Sequence, residues 1–150
     1  MKTQVEIIHP EDTYDLRHRV LRPHQPIADC QYPGDFTGTT FHLGIKGSET
    51  FVCIGSFFLE KHMDFQDDTQ IRLRGMATDP LLKGKGFGRT LIQAAEEILL
   101  QRSAPFIWCY AREKAFDFYT KVGFKFHGPF FELPGIGRHK VMFKHLKNSI

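Results

Sequence analysis

Asp79-Pro80-Leu81-Leu82-Lys83-Gly84-Lys85-Gly86-Phe87-Gly88-Arg89-Thr90 is the stretch from which the rest of this chain can be organised. Gly84, Gly86 and Gly88 alternate with Lys83, Lys85, Phe87 and Arg89, and an apolar pattern of helical period begins at once. Glycines at that density let backbone N–H groups approach an anion and turn toward it, because no Cβ intervenes. A helix beginning near Phe87 adds the unpaired N–H groups of its first turn and the positive end of its dipole. The expected ligand is a phosphate or pyrophosphate. A glycine-rich surface turn with solvated lysines is the plain alternative, and the flanks argue against it.

Two commoner phosphate loops do not fit. A Walker loop needs four residues between two glycines and then Lys-Ser or Lys-Thr, a string absent from the chain. The dinucleotide fingerprint needs a third glycine three positions after the second, where the two available frames hold Arg89 and Leu91. What remains is x-x-Gly-x-Gly between a strand and a helix.

The 150 residues are expected to form one domain, 1–150, with a core of its own. Hydrophobic and charged contents of 41% and 25% are those of an ordinary globular chain. A net charge of +3 without a basic stripe argues against a nucleic-acid partner. No apolar run reaches the length of a membrane span, and no signal peptide is recognisable, so no membrane partner is expected. Cys30, Cys53 and Cys109 are odd in number and widely spaced, which favours a reducing, cytoplasmic location. The eight histidines show no metal-site spacing, and no metal is expected.

The coarse order is β-α-loop-β-β-β-α-β-α-β-β. Val5 to His9 is a first strand, and Pro10 opens a helix whose last turn carries Arg17, Arg19 and Arg22, read as a solvated helix end. Arg22 to Thr40 is irregular, and so long a loop in a compact domain is often functional. Phe41 to Lys46 and Thr50 to Glu60 form a hairpin, with Gly55 as a bulge. Gln70 to Ala77 is the strand entering the glycine loop. Phe87, Leu91, Ala94, Ala95 and Ile98 recur at helical spacing to about Gln101. Phe106 to Ala111 is a strand, Glu113 to Val122 a helix capped by Gly123, and Phe124 to Leu133 and Lys140 to Leu146 are strands around a Pro134–Gly137 turn. The strand, crossover helix and parallel strand in the middle put the glycine loop at a strand's carboxyl end, where α/β ligands bind.

Arg74-Gly-Met-Ala-Thr-Asp-Pro followed by Lys83-Gly-Lys-Gly-Phe-Gly-Arg resembles the fourth strand and pyrophosphate loop of GNAT-type N-acetyltransferases. Cys109-Tyr-Ala-Arg, then Ala115, Phe118, Tyr119 and Gly123-Phe124, is similar to that family's fifth strand and A-x-x-F-Y-x-x-x-G-F ending. Two such blocks in this order, about thirty residues apart, are more specific than either alone. Leu16-Arg17, Val20-Leu21, Gly34-Asp35, His42 and the Gly135-Ile136-Gly137-Arg138-His139 stretch also resemble a bacterial subgroup of small family members.

The resemblance implies a mixed α/β sheet splayed open between strands four and five, with acetyl-CoA as co-substrate in the split. The pantetheine arm would lie along Met76, Ala77 and Thr78. The pyrophosphate would take N–H bonds from Lys83, Gly84, Lys85, Gly86, Phe87 and Gly88, with Arg89 and Thr90 beside it. It also implies a small-molecule amine as acceptor and leaves room for a homodimer. Position 110, often Asn in the family, is Tyr110, a departure that puts the family's amide hydrogen bond to pantetheine in doubt. Position 83, often Arg or Gln, is Lys83, which backbone donation tolerates.

Acyl transfer from a thioester to an amine needs a neutral amine, a stabilised oxyanion and a proton for the leaving thiolate. A backbone N–H near Met76 or Ala77 is the candidate oxyanion donor. Tyr119 occupies the family's general-acid position, and a phenol titrating near ~10 can protonate a thiolate at neutral pH. A core tyrosine on a helix face is the alternative for Tyr119. His139, His42, Glu60 and His62 are candidate bases at strand ends or turns, with His139 first because its turn would overhang the acyl end. Arg112 is a helix-flanking charge or, alternatively, a contact to an anionic substrate. Asp29 and Asp35 line the acceptor site or cap turns. An acetyl-CoA-dependent N-acetyltransferase is thus the leading expectation; a non-catalytic acyl-CoA-binding regulatory domain and a nucleotide-phosphate binder are the alternatives, and an intact Tyr119 favours catalysis.

Overall fold

A computed structural model describes residues 4–147. Seven strands form one sheet: β1 (Val5–Ile8), β2 (Phe41–Lys46), β3 (Phe51–Leu59), β4 (Ile71–Thr78), β5 (Phe106–Arg112), β6 (Lys125–Leu133) and β7 (Gly137–His145). Their spatial order is β1-β2-β3-β4-β5-β7-β6. Every neighbouring pair is antiparallel except β4 and β5. The helices are α1 (Tyr14–Leu16), extended by flanking helical turns, α2 (Phe87–Gln101) and α3 (Phe116–Lys121). This is the expected order of elements, in the mixed GNAT-like arrangement.

The β4–β5 pair holds only at Ile71↔Ile107 and Arg72↔Trp108. Beyond Arg72 the strands part, and a bulge explains where. Ile54 faces Ala77 and Ser56 faces Arg74, so Gly55 stands opposite two residues, Gly75 and Met76. The extra residue is therefore on β4 and not on the strand of Gly55, where the sequence suggested it. Gly75 takes φ +64°, a conformation costly for a residue with a Cβ, and such a bulge sharpens strand twist. The carboxyl half of β4 turns away from β5 and, among the described residues, keeps β3 as its only strand partner.

Two apolar clusters grip the sheet. Leu91, Ile92, Ala95 and Leu99 of α2 pack with Leu43, Cys53, Leu73 and Ile107, and Tyr119 and Phe124 join the same cluster from the α3 segment. Leu16 packs instead with Ile8, Ile54 and Ala77. Each such aliphatic side chain, removed from water, contributes roughly 1.5–3 kcal/mol before the entropy of ordering it. Trp108 is fully buried in β5, and its indole N–H is satisfied by the Glu60 carbonyl at 2.9 Å.

The first helical segment departs from expectation. It is a 3-10 turn (Pro10–Thr13), the short α1, and a π turn (Arg17–Leu21) in which the Arg22 N–H reaches back to the Arg17 carbonyl at 3.0 Å. Arg17 is not solvated: its side chain is completely buried, donating to Asp35 Oδ2 at 2.7 Å and Oδ1 at 3.0 Å, to the Cys30 carbonyl at 2.7 Å and to Ser56 Oγ at 2.8 Å. Arg19 does keep a half-exposed position beside Asp15.

Candidate active site

The glycine loop leaves β4 at Asp79, whose carboxylate accepts the Leu81 N–H at 3.0 Å and starts a short 3-10 turn. Gly84 and Gly86 adopt φ +80° and +85°, and a Cβ at either would meet no atom within 4 Å, so both are glycine for conformation. Thr90 N–H returns to the Gly86 carbonyl and closes the first turn of α2. Among the described residues, no N–H from Lys83 to Arg89 donates to another protein group. A continuous run of backbone donors is left at the head of a helix, a cradle for an anion.

These donors open onto a cleft of about 810 Å³ that continues into the gap between β4 and β5. Met76, Ala77, Thr78, Lys83, Gly84, Gly86, Phe87, Gly88 and Arg89 line it. Lys85 and Thr90 do not; the Thr90 hydroxyl is taken up within α2 by the Gly86 carbonyl at 3.0 Å. Gly88 is glycine for a reason other than phosphate approach: a Cβ there would lie 2.8 Å from the Phe118 ring.

Tyr119 and His139 both line the cleft. Tyr119 is 7% exposed, and burial, reinforced by Cys109 and opposed by Arg112, raises its phenol well above the ordinary value. The hydroxyl is therefore protonated at neutral pH, as an acid requires. His139 lies within β7 rather than in the turn, paired across to Arg112 and Phe131, with its ring stacked 5.6 Å from that of Phe131. Its Nδ1 sits 2.8 Å from the Gly137 carbonyl. Since a carbonyl can only accept, Nδ1 carries a proton, and it is Nε2 that offers a lone pair in the neutral ring.

The other candidate bases are elsewhere. His42 is buried between Ser56 Oγ (2.7 Å) and the Asp35 carbonyl (3.0 Å), and burial lowers its pKa. It is a satisfied core residue. Glu60 is paired with Arg72 at 3.1 Å. His62 packs edge-on against Trp108 and Tyr110 and lines a separate small cavity with His127. Asp35 is buried with Arg17 and accepts the Tyr32 N–H, so it caps a turn and does not line the cleft; Asp29 is exposed on a 3-10 turn.

At the other end of the cleft sequence reasoning offered only Arg112, as the second of two readings; it took Arg22 for a solvated helix end and passed over Arg72, Arg74 and Tyr32 as site residues. Arg22, Arg72, Arg74 and Arg112 line that end with Tyr32 and Tyr110. The Arg74 guanidinium carbon is 4.1 Å from the centre of the Tyr32 ring, and that of Arg72 is 4.7 Å from that of Tyr110. Arg72-x-Arg74, two cations on one face of an otherwise apolar strand, was the available signal.

Residues 8–124 match the model of the acetyltransferase (GNAT) family. The chain is 41% identical over 146 residues to the N-acetyltransferase YitI of Bacillus subtilis (strain 168), covering 97% of this chain and 98% of that one. Its fold is similar to that of an aminoglycoside 6'-N-acetyltransferase complexed with coenzyme A, with a TM-score of 0.76 at 11% identity, over 98% and 99% of the two chains. Escherichia coli ElaA superposes with a TM-score of 0.74 at 17% identity, over 96% and 100%. Sheet, split and relatives agree: the chain belongs to the GNAT family of acetyltransferases.

Proposed function

We propose that the protein transfers the acetyl group of acetyl-CoA to a primary amine of a small molecule. The observation that carries this reading is the run of unpaired N–H groups from Lys83 to Arg89, opening into the same split that holds Tyr119. The pyrophosphate lies in that cradle, and the pantetheine runs along Met76 to Thr78, where β4 has lost its β5 partner. The thioester carbonyl then meets the bulge, where a backbone N–H near Met76 or Ala77 polarises it.

His139 accepts the ammonium proton at Nε2, directly or through water, and frees the nitrogen lone pair. Attack forms the N–C bond and cleavage of C–S releases the thiolate. The phenol of Tyr119 protonates that thiolate; the nitrogen loses its remaining excess proton to solvent, through which the phenol is restored. The products are the amide and the free thiol of coenzyme A.

Calorimetric titration with acetyl-CoA tests the cradle. Gly86→Val puts a branched side chain at φ +85°, so the variant should lose binding while its circular dichroism stays native. Equal affinity in both proteins would refute the assignment. Replacing His139 by Ala should lower kcat/KM and leave acetyl-CoA affinity unchanged; an unchanged kcat/KM would assign the deprotonation to another group.

A further inference from the structure

We infer that the acceptor amine also carries an anionic group, a carboxylate or a phosphate, held by Arg22, Arg74 and Arg112 at the end of the cleft opposite the glycine loop. The inference rests on the acetyl-transfer reading for the word acceptor, but the anion site itself stands on independent geometry.

Three guanidiniums converge there without a counter-charge. Arg22 donates to Gln25 Oε1 at 3.1 Å, Arg112 to the Leu21 carbonyl at 2.9 Å, and Arg74 to none of the described residues. No carboxylate among the described residues lies within ion-pair distance of any of the three. Arg22 Nε, like Arg72 Nε on the same wall, is buried with no acceptor among the described residues. The cleft wall contains no Asp or Glu among the described residues. Glu60, which does not line the cleft, is engaged by Arg72. A guanidinium offers five donors in a planar fork, and crowding three half-buried ones on one wall without a counter-charge is unfavourable until an anion completes their donors. Arg74 registers the strain: desolvation, with Arg72 and Arg22 adding repulsion, lowers its pKa to about 10.

The arginines are held in place from below. The Tyr32 ring lies 3.9 Å from the Arg17 guanidinium carbon and 4.1 Å from that of Arg74. Arg17 is in turn fixed by Asp35, and Gly75 leaves room because a Cβ there would meet Arg17 Nε at 3.2 Å and the Tyr32 ring at 3.3 Å. A buried ion pair thus supports a tyrosine that supports the free guanidinium.

The phosphates of coenzyme A do not account for this charge. Arg74 precedes Thr78 by four residues, roughly 13 Å along a strand at about 3.3 Å per residue, and the glycine loop lies beyond Thr78. On this geometry the thioester falls between the two cationic ends, and the arginines face what lies past it. A purely cationic amine would be repelled there. An amine that brings its own anion is attracted, and the surrounding positive charge lowers its ammonium pKa, helping His139 take the proton.

The test is a matched panel assayed by thiol release: L-α-amino acids against their carboxamides and decarboxylated amines, and phosphoethanolamine against ethanolamine. The anionic member of a pair should have the higher kcat/KM, by about 10- to 100-fold, and Arg74→Gln should erase the preference without changing acetyl-CoA affinity. Preference for carboxylates or for phosphates identifies the anion. Preference for the neutral or cationic members, or a preference that survives Arg74→Gln, overturns the inference. Calorimetry of the same panel on the protein saturated with coenzyme A separates the two readings. Anionic members that bind through Arg74 without turnover would refute acetyl transfer and keep the anion site; absence of Arg74-dependent binding would refute the site.

Discussion

The two ends of the cleft are both cationic, and they are built from different material. The glycine-loop end presents backbone N–H groups from one contiguous segment, Lys83 to Arg89, with Gly84 and Gly86 exposed and nothing packed over them. The arginine end presents side chains from the π turn's exit, β4 and β5, resting on Tyr32 and on the buried Arg17–Asp35 pair. Backbone donors are fixed by local conformation and tolerate almost any side chain beside them. Side-chain donors keep their geometry only if the layer beneath holds. The first end should therefore fail by changes of conformation, and the second by loss of support.

The largest expected effect strikes the support. Asp35→Ala leaves the Arg17 guanidinium buried without its carboxylate, and the cost should be about 3–5 kcal/mol in urea unfolding. A loss below ~1 kcal/mol would mean that water replaces Asp35 readily and that the arginine end does not depend on the layer beneath it.

Between the ends, Tyr119→Phe keeps the ring and removes the proton donor. Turnover should fall about 100-fold, with acetyl-CoA affinity retained in a direct titration. If turnover is unchanged while chemistry limits the rate, Tyr119 is a packing residue of the α3 face.

Gly88→Ala sharpens the contrast within the loop itself. Because its Cβ would press on Phe118, the variant should lose about 1–3 kcal/mol of stability, with a smaller effect on acetyl-CoA binding than Gly86→Val. The reverse ranking would make Gly88 a ligand-approach glycine.

The smallest effect concerns pH. His42 is neutral in the fold because burial, with Arg17 close by, disfavours its charge. Its folded pKa is below the unfolded value near ~6.5, so the unfolded chain binds the extra proton first. Stability from this residue is complete above that value and is lost as pH falls toward the depressed folded pKa. His42→Gln should reduce the drop in urea midpoint between about pH 7.5 and 5.5; an unchanged drop would assign it to other groups.

Patterns local in sequence are legible in the residues themselves. The order of elements, the loop from Lys83 to Thr90, and Tyr119 on its helix are each encoded within a few turns of chain, where glycine spacing and apolar period act directly. The resemblance to a bacterial subgroup also picks out Leu16-Arg17, Gly34-Asp35 and His42, but gives no reason for them. The structure supplies one: Arg17 donates to Ser56 Oγ, which leaves the Ser56 hydroxyl to donate to His42 Nδ1, while Asp35 closes the set. Arginine at a helix end is usually solvated, and only the burial of that end under residues 22–40 reverses the rule for Arg17. His139 shows the same limit, since its place in β7 follows from where the strand begins, a boundary the glycines left open.

The sequence by itself determined the fold family and the glycine loop before α2, because both depend on backbone conformations that neighbouring residues impose. The tertiary structure alone decided where the sheet splits, since the bulge at Gly75 and Met76 exists only in the register of β4 against β3. It alone brought Arg22, Arg74 and Arg112 to one wall. Those residues lie far apart along the chain; packing of Arg22 and Arg74 on Tyr32, and the bond from Arg112 to the Leu21 carbonyl, set them side by side.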